Sequence, residues 1–333
     1  GCGGFSEWGC LPHEETGSGS RTDRVRLRQA TVAKLSAIYC LYADSGKKVI
    51  NTLKEAGTSD PDARITDEAG TVHSLWAIDD ITATGAVNSM LAEKTLLIAD
   101  GHHRYETALA YRDARRAEES PRHAEGGSGK LQPYDYLMVY LSDLNHTSQS
   151  ILPIHRFVSG LDLKTIKNLL PALEEKFEVE RLNGAGEKRG PAMIAALAGA
   201  DRNRNSFGMY LSGENSFFLL TGRQPRPMID ENDDKSAAYR ALDIAVLDQV
   251  ILADILGIGT GADNENAKVR FVERTEKALV EISEPDYDVA FFVNPTSMEE
   301  IKAVADAGEK MPRKSTYFYP KPVTGLVFHS FDY

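Results

Sequence analysis

The chain is 333 residues long and 42% hydrophobic, and its 38 basic against 49 acidic side chains leave a formal charge of −11 and an isoelectric point near 5.3. That balance argues against general binding to nucleic acid or anionic lipid, which needs a broad basic face, so an anionic ligand must be met by a local positive site. No apolar run approaches the roughly 20 residues of a membrane span. No secretory leader opens the sequence. The three cysteines, Cys2, Cys10 and Cys40, lack CxxC spacing and build neither a disulfide framework nor a four-cysteine zinc site, so a cytoplasmic protein is expected.

In chain order, residues 5–10 read as a strand or hairpin end, and 11–24 as a polar loop loosened by Gly17, Ser18, Gly19 and Ser20. A helix is expected over 25–35, flanked and lined by Arg24, Arg26, Arg28 and Lys34, and a strand over the apolar-aromatic run 37–43. Residues 47–56 and 79–92 predict helices, with a hairpin over 63–76 between them whose buried positions are Val72, Leu75 and Trp76. After a polar stretch near 119–133, a strand is expected over 134–141 and an extended piece over 150–157. The second half alternates helices (163–176, 191–198, 275–282, 297–307), one long helix (239–256) and strands (177–182, 269–272, 288–294). It also holds a hairpin over 207–211 and 216–221, and an acidic loop at 230–234. Alternation of this kind predicts an α/β protein with mixed sheets and flanking helices.

The stretch with the most chemistry is 96–116. Leu96, Leu97, Ile98 and Ala99 mark a buried strand, Asp100 and Gly101 break it, and from His102 onward a helix without Gly or Pro follows. A strand, a glycine turn and a helix start place unpaired N–H groups and the positive dipole end where an anion can lie. Arg104 adds a fork of donors suited to phosphate. Asp100 stands at the carboxyl end of its strand, where open α/β sheets put ligands. No Gly-Lys-Ser/Thr follows, so this is not a P-loop.

Five segments resemble the family of domain of unknown function 1015: LPHEET (11–16), LLIADGHHRYETALAYRD (96–113), LPIHR (152–156), FVNPT (292–296) and MPRKSTYFYPKPVTGLV (311–327). The family carries no established activity, and its members usually have more sequence before the point where this chain begins. The turn ADGHHRYETA is also similar to ParB/sulfiredoxin-like nucleotide-binding domains, in which a glycine turn and His-Arg open a helix that holds nucleotide phosphates. That resemblance implies a domain over 1–158, truncated at its N-terminus, that binds phosphate or nucleotide, and a second α/β domain over 159–333. Sulfiredoxin has a catalytic cysteine where this chain has His102, and the acidic charge sets aside the DNA binding of ParB proteins. The archaeal kinase of free serine, which uses ADP, matches at Asp100, Gly101, His103 and Arg104, and its early acidic pair corresponds loosely to Glu14 and Glu15.

The resulting expectation is phosphoryl transfer from a nucleotide (ADP, ATP or CTP) to a small hydroxyl-bearing metabolite. Gly101, His102, His103 and Arg104 would hold phosphate, and His103 would donate to a phosphate oxygen. Glu14 or Asp100 would take the hydroxyl proton, with Asp100 preferred for Mg²⁺. Two alternatives use the same residues: a non-enzymatic nucleotide sensor, and a metal-dependent hydrolase built on His102 and Glu106, which at i and i+4 share a helix face while His102 and His103 do not. A second tier of cleft residues comprises His13, Glu15, His155, Arg156, Asn294, Thr296, Lys314, Ser315 and Tyr317, the last three in a polar aromatic tail (314–321) whose alternation equally fits a strand with one packed face. The expected partner is a small phosphorylated molecule, with no nucleic acid and no membrane.

Overall fold

The computed structural model describes residues 10–12, 14, 19–57, 60–68, 70–119, 131–144, 149–182, 188–230, 232–259, 268–282 and 286–331. It is a mixed α/β protein in two compact units. One comprises Gly1–Leu11, Ser18–Ser148 and Pro322–Tyr333, and the other Pro12–Gly17 and Gln149–Lys321.

In the first unit, strands β1 (Cys10–Pro12), β3 (Ile38–Tyr42), β6 (Leu96–Asp100) and β7 (Val139–Asp143) form a sheet in the order β1-β6-β3-β7. All five residues of β3 are buried, as a central strand covered on both faces requires. Ile38, Cys40 and Ile98 pack on Tyr105 and Leu109 of helix α4 (His102–Glu119), burying the apolar stripe that the sequence shows. Helix α1 (Gly19–Thr31) packs against α4. It begins six residues before the expected start and ends four before the expected end, because residues 33–34 leave it as β2 (Ala33–Lys34) to pair with the returning tail strand β16 (His329–Ser330).

The hairpin forms as β4 (Ala63–Thr66) and β5 (Val72–Leu75), but its expected core does not. Val72 is 57% exposed, Trp76 40% exposed and Leu75 half-buried, because this two-stranded ribbon belongs to neither of the larger sheets. Helices α2 (Lys48–Ala56) and α3 (Ile81–Ala92) flank it in sequence, the second capped by the Asp80 carboxylate, which accepts the Ala83 N–H at 2.7 Å. The strand expected from 134 starts only at 139. Pro133 and a capping box between Gln132 and Asp135 turn residues 133–135 into a 3₁₀ turn first.

The second unit holds an antiparallel sheet ordered β10-β12-β11-β14-β9-β13, from β9 (Ile154–Ser159), β10 (Phe177–Leu182), β11 (Ser206–Leu211), β12 (Ser216–Gly222), β13 (Lys268–Glu273) and β14 (Val289–Phe292). Its core joins Phe157, Tyr210, Phe217, Ala290 and Phe292 to Met193 and Leu197 of α6 (Arg189–Ala198). Helix α5 (Leu163–Lys176) has the expected bounds, with Asp162 as its cap. The long helix expected over 239–256 is instead three pieces: α7 (Ala237–Ala241), α8 (Asp243–Val246) and a π-helical run, Leu247–Ile255. Leu242 is extended there, and the Ala241 carbonyl accepts from Asn205 Nδ2 (3.0 Å) and Arg226 Nη1 (3.2 Å). Tertiary donors thus replace the helical ones and end the first piece. Helices α9 (Thr275–Glu281) and α10 (Met298–Asp306) and strands β8 (Ser150–Leu152) and β15 (Tyr317–Tyr319), paired antiparallel, complete the unit. No described helix is long and apolar enough to cross a membrane.

Candidate functional site

The turn that opens α4 is made as its sequence dictates. β6 ends at Asp100, Gly101 takes φ +101°, and the Gly101 carbonyl accepts the first helical N–H, from Tyr105, at 2.9 Å. Only glycine adopts that φ without strain. The Arg104 guanidinium folds back over this glycine so closely that a Cβ at position 101 would lie 2.8 Å from Nε. The reason is its pairing: Arg104 Nη2 donates to the Asp100 carboxylate, one helical turn back, and Nη1 donates to the Ala37 carbonyl just before β3.

Arg104 is 17% exposed and bound to Asp100, and its pKa is lowered, burial being the largest cause, with Asp100 opposing the shift and nearby Arg24 adding to it. The Asp100 carboxylate engages this guanidinium through Oδ2, a pairing that the sequence alone does not show. Nor does Asp100 occupy the ligand-binding edge of a parallel sheet. β6 runs antiparallel to β3, with Asp100 opposite Tyr39, while β3 and β7 are parallel, so Asp100 lies beside their amino-terminal ends.

The Arg104 side chain borders open space. A cavity of about 60 Å³ is lined by Arg24, Leu27, Arg28 and Thr31 of α1, by Ala33, Leu35 and Ser36 after it, and by Arg104 and Thr107 of α4. Arg24, Arg28 and Thr31 are spaced four and three residues apart, so they share the helix face turned to α4. Thr107 donates its hydroxyl to the His103 carbonyl at 2.6 Å. His102 is buried, and His103 and Glu106 are half-buried. Among the described residues, no three His, Cys, Asp or Glu side chains come together as a metal site, so the pair His102 and Glu106 lacks a third ligand there. Arg24 and Arg28, in the sequence only basic residues beside and within the first helix, line this cavity with Arg104, and their four-residue spacing puts them on one helix face.

The other sequence candidates belong to the second unit, apart from His13 and Glu15, which lie outside the described residues. There the LPHEET, LPIHR and tail segments converge. Glu14 bridges to Met311 and accepts the Lys314 N–H. Arg156 is fully buried and donates to the carbonyls of Ile154 (2.8 Å), Lys314 (2.9 Å) and Arg313 (3.2 Å), with its Nε 3.5 Å from Asp248 Oδ1. This is a structural anchor rather than a cleft residue. His155 is corrected in the same sense. Its Nδ1 accepts the Val293 N–H at 3.3 Å, which leaves the proton on Nε2 to be donated to Thr275 Oγ1 at 3.2 Å.

Burial, and then the Arg156 charge, hold the His155 pKa down to about 3. The imidazole is therefore neutral in the folded protein, and its stabilising contribution is complete above about pH 6.5 and lost as pH falls toward 3. Nitrogen-15 NMR at pH 5 is expected to find His155 as the neutral Nε2–H tautomer; a protonated ring would contradict this assignment.

Asn294 donates to the Leu197 carbonyl at 3.1 Å and Ser315 to that of Pro312, so both serve the local fold, while Thr296 is half-buried. Lys314, at φ +58°, sets its Nζ 3.7 Å from Glu273, and Tyr317 carries Lys321 over its ring at 4.6 Å.

A family model described as Protein of unknown function (DUF1015) matches residues 5–245. The chain belongs to that family. Three solved structures resemble this DUF1015 chain. A conserved hypothetical protein from Pyrococcus furiosus is 13% identical, with 96% of this chain and 88% of that one covered and a TM-score of 0.40. A free serine kinase variant in complex with ADP is 13% identical over 93% and 84%, at 0.41. SbnI with a C-terminal truncation, from Staphylococcus aureus, is 13% identical over 95% and 82%, at 0.41. No curated protein matches the chain.

Proposed function

We propose that the protein is a nucleotide-dependent phosphotransferase acting on a small hydroxyl compound, with the phosphates held at the start of α4. The observation that carries this reading is the placement of Arg104, a guanidinium on the wall of a cavity at a glycine turn, in a chain whose net charge otherwise repels anions. Arg104 supplies a fixed cation with donors suited to phosphate oxygens, and the Asp100 carboxylate and the Ala37 carbonyl preorganise it. His103, in the first turn of the helix, donates to a phosphate oxygen. The base that takes the acceptor's proton is proposed from the sequence resemblance alone, which nominates Glu14. Mg²⁺ enters with the nucleotide as part of the substrate. The commitment of Asp100 equally favours a second reading, a nucleotide sensor with no base.

A thermal-shift panel of ADP, ATP, CTP and GTP with Mg²⁺ tests both readings. A ligand at 100 times its Kd stabilises by about 2.7 kcal/mol, which is a rise of roughly 5–10 °C. At least one nucleotide is expected to give it, and Arg104→Ala to abolish it. No response to any nucleotide would remove both readings. Glu14→Gln then separates them: a kinase keeps the shift and loses turnover, whereas for a sensor the wild type turns nothing over.

A further inference from the structure

Each of the two larger sheets has two edge strands, and three of these four carry features that keep an edge from pairing with a further strand. β1 holds Pro12, β10 exposes Glu178, Glu180 and Arg181, and β13 exposes Lys268 and Arg270. β7 is the exception. Residues 137–142 read LMVYLS, with no charge and no proline, and Val139 and Tyr140 are 39% and 46% exposed. The ladder shows which of its backbone groups point outward. The Ile38 N–H donates to the Met138 carbonyl at 2.9 Å, and the Leu144 N–H donates to the Tyr42 carbonyl at 2.8 Å. In a parallel pair of that register, Tyr140 and Ser142 turn their N–H and C=O groups to β3, while Val139 and Leu141 turn theirs away. Among the described residues, no strand pairs with that side of β7.

We propose that the β7 edge is a dimer interface, on which β7 of a second copy of this chain adds antiparallel about a two-fold axis at Tyr140. Val139 of each copy pairs with Leu141 of the other, and both pairs exchange N–H···O=C bonds through the groups that face away from β3. The two Tyr140 side chains meet as a directly opposed, non-hydrogen-bonded pair, the closest kind across a sheet. Each ring already lies edge-on to Tyr39 at 5.2 Å, so an aromatic row runs across the axis. Charge permits this arrangement. Asp143, the one charged residue of β7, falls at opposite ends of the paired strands, about 20 Å from its counterpart at the usual rise per residue, well beyond the screening length. The edge is thus self-complementary in hydrogen bonds, aromatic contact and charge, which selects a second copy over a strand of unrelated sequence. The two four-stranded sheets become one continuous sheet. Nothing in this interface depends on the reading of Arg104.

Sedimentation velocity on the full chain provides the test. The wild type is expected to form a species of twice the 36.6 kDa chain mass. Tyr140→Lys and Tyr140→Asp each set like charges face to face at the axis, so each is expected to sediment as a monomer. An equimolar mixture of the two, with opposite charges at the axis, is expected to regain the dimer. Val139→Pro removes an outward N–H from each copy and leaves the bonds to β3 in place, so association should weaken by about tenfold or more. Val139→Thr, which keeps that N–H, is expected to leave association unchanged. Circular dichroism checks that the variants are folded. If they are not, hydrogen exchange on the wild type decides, with residues 139–141 expected to slow as concentration rises. A monomeric wild type would overturn the proposal, as would a dimer that survives the charges at 140 and Val139→Pro. A mixture that stays monomeric, or exchange at 139–141 that ignores concentration, would overturn it as well.

Discussion

Arg156→Met is expected to destabilise the protein by about 3–5 kcal/mol, the range for removing one partner of a buried ion pair. The side chain is fully buried, and its donors serve three carbonyls, those of Ile154, Arg313 and Lys314. Methionine fills much of the volume and keeps a contact with Phe271, whose ring lies 4.7 Å from the guanidinium, but it leaves those acceptors and Asp248 without their cation. Burial already raises the Asp248 pKa, against the opposing pull of Arg156. Without the arginine it rises further, so the folded state of the variant holds a proton that the unfolded chain releases above about pH 4. Stability then falls as pH rises. Urea unfolding should therefore show a larger loss at pH 8 than at pH 5. The double variant Arg156→Met/Asp248→Leu should recover part of it, since the stranded charge is gone while the three carbonyls remain unserved. A loss below about 1 kcal/mol at both pH values would contradict the anchor role.

Gly101→Ala is expected to cost about 2–4 kcal/mol and lower Tm by roughly 5–15 °C. Two effects add. At φ +101° an L-residue is strained. The new Cβ would also meet Arg104 Nε at 2.8 Å and its Cζ and Nη2 at 3.0 Å, so the guanidinium must leave Asp100 and the Ala37 carbonyl. Gly257→Ala is the companion measurement. That glycine also has positive φ (+68°), but no atom lies within 4 Å of its would-be Cβ, so only backbone strain of about 1 kcal/mol is expected. The difference in Tm between the two variants reads the displacement of Arg104. The Gly101→Ala variant should also lose the nucleotide response expected of the wild type, because the same displacement removes the cation from the cavity wall. Equal Tm changes for the two glycines would show that the guanidinium does not lie over Gly101.

Much of the fold is legible residue by residue, wherever local chemistry and burial pattern agree. The run from Leu96 to Ala99, the glycine break and the α4 stripe of Tyr105, Ala108 and Leu109 specify strand, turn and helix without outside help. Asp162 and Ser297 mark helix starts through hydrogen bonds closed within three residues. The hairpin around residues 213–215 follows from the same local rules, its left-handed corner taken by Asn215. What the sequence by itself determined is therefore the family and most of the elements, the broken helix over 239–256 and the short strands β2 and β16 being exceptions.

Whether a polar residue faces a ligand or the interior was decided only by the tertiary structure. His155 and Arg156 sit in an extended segment that reads equally well as exposed; their burial depends on β13 and β14 pairing to either side of β9, and on a tail more than 150 residues later that brings carbonyls to the guanidinium. The antiparallel course of β6, which moves Asp100 away from the carboxyl edge of β3 and β7, is likewise set by partners distant in sequence. Arg24 and Arg28 line one cavity with Arg104 only because α1 lies along α4. Spacing along a chain fixes which side chains share a face of one element, but it carries no information about what another element, folded back from far away, places opposite that face.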